Sequence, residues 1–342
     1  MLVVSSGGER PDVLMITNMW PHPGNSSYGV FVERQVKSVQ AAGVNCEIRF
    51  IEGYRSRSEY VVEAARMFIR NFGGPRPLLV HAHGGEVALV ARLFLRGPVV
   101  VSYCGDDLLG TPRANGAITL ASRIRRAILR QHARLTTATV TKSAEMERTL
   151  PPSIRSRNRV IPNGVDRSLF RPLSRADSRA QLGWPDSDRI ALFAADPRVE
   201  RKRYWLADEA RRVAESSAGP IRLEVAQGVP PPDMSRLMAA ADCLLLTSAI
   251  EGSPNVVKEA VSCGLPVVAT PVGDVEGILA GVEPSWIRAA DPVALGEALA
   301  ECFALGARSN GWERSAWLDQ QRIARRLLDL YGQLSPELAN LG

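Results

Sequence analysis

Short apolar runs that end on polar residues alternate with stretches of helical spacing along the chain. Residues 12–18 (DVLMITN) have the pattern of a strand buried on both faces. A Pro/Gly/Ser loop follows, and Val30, Phe31, Val36 and Val39 then recur at roughly helical spacing from Gly29 to Gly43. The same reading predicts strands at 44–51, 78–82, 98–103, 137–141 and 159–161, with helices over 57–71, 86–95, 116–133 and 143–149. Residues 162–189 break the rhythm, with Pro162, Asn163, Gly164, Pro172, Gly183 and Pro185 and few long apolar runs. The alternation then restarts. Strands are expected at 190–195, 221–225, 242–247 and 266–270, and helices at 204–217, 234–241, 255–263 and 292–305. The segment 312–333 is amphipathic, with Trp317, Ile323, Leu327, Leu328 and Leu330 on one face.

Two consecutive βα series predict an α/β protein of two doubly wound, Rossmann-like domains. The expected boundaries are 1–165 for the first domain, 166–311 for the second, and 312–342 for a terminal helical segment. Ligands of such sheets sit at the carboxyl ends of the strands, and two such ends could face each other across a cleft.

Composition narrows the picture. The 342 residues are 45% hydrophobic and 23% charged, which excludes a disordered chain and a polytopic membrane protein. No run of 18 apolar residues occurs, and residues 1–10 lack the make-up of a signal peptide. The five cysteines are odd in number and never at C-x-x-C spacing, so a disulfide framework and a structural zinc site are not expected, and a reducing, cytoplasmic compartment is. The net charge of +6 divides unevenly, +10 over residues 1–165 and −4 over the rest. A basic half suits an anionic partner, and an arginine-rich bias across the whole protein reads equally well. Only four lysines occur, and Lys202 and Lys258 both fall in the motifs below.

The most specific motif is EGSPNVVKEAVSCG, Glu251 to Gly264. Glu251 follows a buried strand, and Gly252, Ser253 and Pro254 open a helix whose free amides and positive dipole end make a diphosphate site. A carboxylate just before that helix can accept hydroxyls of a sugar, and Glu259, eight residues on, can reach a ribose diol. Two glutamates at this spacing alone would be a cap and a solvated helix face. Set after a strand, and followed by Gly264, Pro266 and Val267, they make a stronger pattern.

This segment resembles the family 4 glycosyltransferases, retaining enzymes of the GT-B fold, through Glu251, Gly252, Pro254, Glu259, Ala260, Gly264, Pro266 and Val267. The resemblance implies that Glu251 contacts the donor sugar and Glu259 the nucleotide ribose. Amides from Ser253 through Asn255 to Val256 would hold the diphosphate, and Gly228 and Val229 would lie near the nucleobase. Lys202 matches the family's diphosphate-binding lysine. Pro197 stands where the family has arginine, and Arg198 is the displaced candidate. A cation aimed at a departing diphosphate is the electrostatic help such a reaction needs, and a surface charge in a basic loop is the plainer reading. The resemblance extends over VIPNGVD (Val160 to Asp166) and 225–248.

In the first half, the loop 20–29 is similar to the family's glycine-rich loop, with Tyr28 and Gly29 in place of paired glycines. Cys104 stands where many relatives have histidine, which turns attention to Asp106 and Asp107 as carboxylates that could take a proton from an acceptor hydroxyl or cap the following turn. His81 and His83 are expected on opposite faces of their strand, His83 toward the ligand side and His81 in the core. Gly273 and Asp274 read as a turn. Residues 117–134 form a basic amphipathic helix that suits an anionic membrane surface or, equally, a solvated domain face. No nucleic-acid motif is present.

The reading is a retaining GT-B glycosyltransferase that moves a sugar from a nucleotide-sugar, expected to be a UDP-sugar, to a hydroxyl of a saccharide, lipid-linked saccharide or natural product. No cofactor and no metal are expected. The terminal helix would pack back on the first domain, and the enzyme would sit in the cytoplasm or on the inner face of the membrane. Alternatives are a nucleotide-sugar epimerase of the same fold and a non-catalytic subunit that binds sugar-nucleotides.

Overall fold

The computed structural model describes residues 10–25, 28–73, 76–94, 96–110 and 117–339, which form two compact units. The first unit comprises the described residues up to Gly110, Leu120–Gly164 and Gln320 onward. Its elements run β1 (Val13–Thr17), α1 (Val30–Ala41), β2 (Cys46–Phe50), α2 (Ser58–Ile69), β3 (Leu79–His83), α3 (Gly85–Ala91), β4 (Val99–Ser102), α4 (Asp106–Leu109) and α5 (Leu120–His132). They continue with β5 (Ala138–Thr141), α6 (Ala144–Thr149), α7 (Pro152–Arg155) and β6 (Asn158–Val160). The strands are all parallel, in the order β2-β1-β3-β4-β5-β6. Helices cover both faces of a parallel sheet, so its strands are continuous apolar runs, and β1, β3, β4 and β5 are buried at every position.

The second unit holds 117–119 and Val165–Asp319. It runs α8 (Arg175–Leu182), β7 (Arg189–Phe193), α9 (Tyr204–Ala218), β8 (Ile221–Val225), α10 (Pro231–Ala240), β9 (Cys243–Leu246) and α11 (Asn255–Ser262). Then follow β10 (Val267–Ala269), α12 (Val275–Leu279), β11 (Ser285–Ile287), α13 (Pro292–Leu305) and α14 (Gly311–Arg314). The parallel sheet has the order β11-β10-β9-β7-β8. The two-residue period of a strand sorts its side chains into two cores. Ile190, Leu192, Leu244, Leu246 and Val267 join one, while Ala191, Phe193, Cys243, Leu245 and Val268 join the other with α9 and α13.

Two features depart from the sequence expectation. The helix read over 312–333 is broken: α14 ends at Arg314, and α15 (Gln320–Leu334) starts afresh. The Arg167 guanidinium lies 3.6 Å from the centroid of the Trp312 ring and donates to the Trp312 carbonyl at 2.7 Å and to Ser315 Oγ at 2.8 Å. Those bonds hold 312–315 in the second unit, so the change of unit falls at Asp319 and not at residue 312. In the first unit, Ile323, Leu327, Leu328, Leu330 and Tyr331 of α15 share a buried core with Val32, Val36 and Val39 of α1. The second departure is α8, whose sequence RADSRAQL carries too little apolar pattern to be read as a helix. Ser174 caps it through the Asp177 amide, and the fully buried Arg179 anchors it.

Candidate functional site

The second unit gathers charged groups where β9 gives way to α11. The loop after β7 forms a 3₁₀ turn, Glu200–Lys202, and Arg203 then takes φ +52°, the one left-handed residue other than glycine among the described residues. That costly conformation is held by its surroundings. The Arg203 guanidinium donates to the carbonyls of Thr247 at 2.6 Å and Ser248 at 2.7 Å. Thr247 Oγ1 donates in turn to the Lys202 carbonyl at 2.9 Å, and the Ala249 amide to the Arg201 carbonyl at 2.7 Å. The basic loop is thereby pinned beside the segment that leads to Glu251.

The result is a triad of charges. Lys202 Nζ donates to Glu251 Oε1, and Arg201 Nη1 reaches the same oxygen at 3.4 Å. The Glu251 side chain is only 12% exposed. Burial alone would raise its carboxyl pKa, but the Lys202 and Arg201 charges outweigh burial and hold it below the usual carboxylate range. Glu251 is thus an anion, with a cation pair beside it. Arg198 does not join them: its side chain is 79% exposed and is bonded to Asp196 through Nε at 3.0 Å and Nη2 at 2.9 Å. Arg201 is the arginine that reaches Glu251, and its spacing gave no hint of this because the turn at 200–202 decides which side chains point inward.

Gly252, Ser253 and Pro254 lead into α11, whose N-cap residue Pro254 makes no side-chain cap hydrogen bond. The first N–H groups of the helix, from Asn255 and Val256 onward, carry the positive end of the helix dipole. Ser253 Oγ donates to Asp274 Oδ2 at 2.7 Å. Gly273, at φ +59°, lets its turn lie on the Glu251–Gly252 backbone, where a Cβ would come within 2.9 Å of the Glu251 carbonyl oxygen. The turn read at 273–274 is therefore a buttress of the same loop. Burial raises the Asp274 carboxyl, against the nearby Lys258 ammonium. Glu259 is half-buried in the second turn of α11. Gly228 is exposed at φ +64°, and Val229 packs on the core beside it.

In the first unit the carboxyl ends of β3, β4 and β5 bring together His83, Cys104, Asp107 and Lys142. His81 and His83 lie on the same face of β3, not on opposite faces, because residues two apart on a strand point the same way; their ring centroids are 4.2 Å apart. His81 is a core histidine, bonded to Tyr331 Oη at 2.5 Å and Ser102 Oγ at 2.8 Å. Neither ring nitrogen of His83 has a hydrogen-bond partner, and neither has Lys142 Nζ, which is also buried. Burial, followed by the Lys142 charge, lowers the His83 pKa to about 3, so the ring is neutral. Burial and then Asp107 raise the Cys104 thiol, which stays protonated.

The adjacent aspartates divide. Asp107 is buried and accepts the amides of Gly85, Cys104, Gly105 and Leu108 at 3.0–3.2 Å, the geometry of a residue that organises its loop. Asp106 is 59% exposed, with Arg125 at 3.7 Å. Gly29, at φ +69°, begins α1 where a Cβ would stand 2.3 Å from the Met19 carbonyl carbon, so no other residue fits without moving the loop. Tyr28 beside it is partly exposed; Ser26 and Ser27 lie outside the described residues.

This geometry can be set beside known proteins. A family model described as Glycosyltransferase Family 4 matches residues 12–169, and one described as Glycosyl transferases group 1 matches residues 194–304. The chain belongs to the family 4 glycosyltransferases. It is 25% identical over 350 residues to the Bacillus subtilis protein TuaC, named as a teichuronic acid biosynthesis glycosyltransferase, covering 84% of this chain and 88% of that protein. Among solved structures it resembles a sucrose-phosphate synthase from Thermosynechococcus elongatus, at TM-score 0.75 and 18% identity over 94% of this chain and 99% of that one. It also resembles Anabaena HepE, solved with UDP and glucose, at TM-score 0.69 and 15% identity over 95% of this chain and 100% of that one. These likenesses show the GT-B fold of two Rossmann-like units. The family match makes the chain a glycosyltransferase.

Proposed function

We propose that the enzyme transfers a hexosyl group from a UDP-sugar to an acceptor hydroxyl with retention of anomeric configuration, without a metal. The observation that carries this reading is the Glu251–Lys202–Arg201 cluster in the loop that leads into the N-terminus of α11. The amides from Ser253 to Val256 and the Lys202 ammonium would hold the diphosphate, supplying in fixed dipoles and side-chain cations the positive field a departing diphosphate needs. Glu251 would accept sugar hydroxyls, Glu259 the ribose diol, and Gly228 and Val229 would flank the base. Arg201 takes the place in this scheme that Arg198 leaves. In the transfer, the bond from the anomeric carbon to the diphosphate oxygen breaks and a bond to the acceptor oxygen forms on the same face. The acceptor proton passes to the leaving diphosphate. That HepE shares the fold and was solved with UDP and glucose supports a uridine donor.

The first unit would take the acceptor. Asp106 is the carboxylate open to it, while Asp107 holds the loop and Cys104 offers a neutral thiol where relatives have an imidazole. A saccharide, a lipid-linked saccharide or a natural product all fit this description.

The test is thermal stabilisation by UDP, GDP, ADP and their sugars, with and without a chelator. A ligand at 100 times its dissociation constant stabilises by about 2.7 kcal/mol. A shift with UDP and one UDP-sugar that survives the chelator is expected. Glu251→Gln should then lower kcat/KM by about 100-fold or more while a cooperative melting transition is kept, since it removes charge and not volume. Turnover of Glu251→Gln equal to the parent would overturn the assignment.

A further inference from the structure

The first unit carries a surface that its fold and its chemistry do not use. α2, α3 and α5 lie side by side on one face of the sheet. Their outward sides should be polar in a solvated protein, yet most of the exposed large apolar side chains among the described residues are here. Phe72 is 72% exposed just after α2, and Val61 and Leu120 are each 70% exposed. Phe68 and Ile69 accompany Phe72, with the two phenyl centroids 5.2 Å apart, and Ile124 and Ile128 continue Leu120 along α5. Exposed apolar side chains gathered on adjoining helices in this way mark an interaction surface.

Its charges say what it meets. The α5 helix has no acidic residue, and it carries Arg123, Arg125, Arg126 and Arg130, with Arg134 in the turn that follows. Of the carboxylates on the three helices, Glu63 is buried and bridged to Arg66 at 3.1 Å, and Glu86 is bonded by Arg125 at 2.8 Å; Glu59 stands in the first turn of α2. Helices α9 and α10 show the ordinary alternative, since Arg211, Arg212 and Arg236 there are each matched by an acid three or four residues away. A second copy of this chain would bring arginine against arginine, so self-association is disfavoured. Arg125 is paired with Glu86, and Arg126 and Arg130 donate to the Leu109 and Leu108 carbonyls at 3.1 Å, which leaves the exposed Arg123 and Arg134 for a partner. Exposed apolar side chains beside these two arginines, on a helix without an acid, suit a lipid surface bearing anionic headgroups.

We infer that the outer face of α2, α3 and α5 docks the enzyme on anionic bilayers, with Phe68, Ile69, Phe72 and Ile124 entering the acyl boundary and Arg123 and Arg134 meeting the headgroups. No helix among the described residues is long and apolar enough to cross a membrane, so this face would bind peripherally. The docking needs neither donor nor transfer, and it stands or falls separately from the reaction.

Co-sedimentation of the full chain with vesicles tests it. Vesicles of about one-third phosphatidylglycerol in phosphatidylcholine should bind the protein at least about tenfold more strongly than pure phosphatidylcholine. Binding should fall by a similar factor in about 1 M salt, where charges are screened beyond ~3 Å. The pair Ile69→Ser with Phe72→Ser, and separately the pair Arg123→Glu with Arg134→Glu, should each weaken binding about tenfold. All four side chains are at the surface, so the melting midpoint should hold and show that the fold is intact. Equal binding to both vesicles, no binding, or binding that neither pair weakens would overturn the proposal. So would light scattering that shows a dimer which Ile69→Ser with Phe72→Ser dissociates.

Discussion

Glu251 works as an anion only because two cations reach one of its oxygens inside a nearly closed loop. Lys202 and Glu251 were legible in the sequence, since both stand at fixed distances from strands that the apolar pattern marks. Arg201, Arg203 and the support from Gly273 and Asp274 were not, because they depend on how two loops far apart in sequence pack. The histidines of β3 carry a second lesson. Spacing places them at a strand's carboxyl end, and the two-residue period then sets both on one face, beside the buried Lys142. His83 is held neutral in the folded chain, with a pKa near 3 against about 6.5 when unfolded. Below pH 6.5 the unfolded state therefore binds a proton that the folded state refuses, and stability falls as pH drops from 6.5 toward 3. At pH 5 this one residue accounts for roughly 2 kcal/mol. Replacing His83 by Asn should shrink the loss of urea stability between pH 7 and pH 5 by about that much. An unchanged pH dependence would show that the ring is not held neutral.

At the scale of elements, the strands follow from their composition and several helices do not. Parallel strands buried on both faces must be continuous apolar runs, and such runs are plain in a sequence. The α8 helix is the opposite case. It is mostly polar, with Leu182 its one large apolar side chain packed on the core. It is anchored by the fully buried Arg179 guanidinium, which donates to the carbonyls of Ala240, Pro185 and Asp186 at 2.8–2.9 Å and to Asp242 Oδ2 at 3.0 Å. Asp242 also accepts the Ile190 amide at 2.8 Å, so the same carboxylate ties α8 to β7 and to the start of β9. Arg179→Ala would leave Asp242 with only the more exposed Arg175 as its ionic partner and would remove the donor of the Ala240 and Asp186 carbonyls, while Pro185 keeps the Asp188 amide. That change should destabilise the second unit by about 3 kcal/mol or more, read as a lowered urea midpoint. A loss below ~1 kcal/mol would show that water replaces the guanidinium.

At the scale of the whole molecule, the chain leaves its first unit at Gly164 and returns to it at Gln320. The returning helix α15 completes the core around α1, and Tyr331 hydrogen-bonds to His81 under the sheet. A chain cut after Asp319 would expose Val32, Val36 and Val39 to water and leave His81 without its Tyr331 partner. Such a truncation should abolish the thermal transition of the first unit while the second still melts cooperatively and shifts with UDP. Two intact transitions in the truncated chain would show that α15 is an appendage and not part of the core.

The sequence by itself determined the two βα series, the alternation that buries each sheet on both faces, and the loop-and-helix motif from Glu251 to Val267. Each is written in the order of neighbouring residues, where strand period, helix capping and glycine placement act locally. Only the tertiary structure decided which arginine reaches Glu251, that the mostly polar segment Arg175–Leu182 forms a helix, and that residues 312–315 belong to the second unit. Those outcomes depend on side chains such as Arg203, Arg167 and Arg179 finding carbonyls and carboxylates far along the chain. No local spacing encodes such meetings.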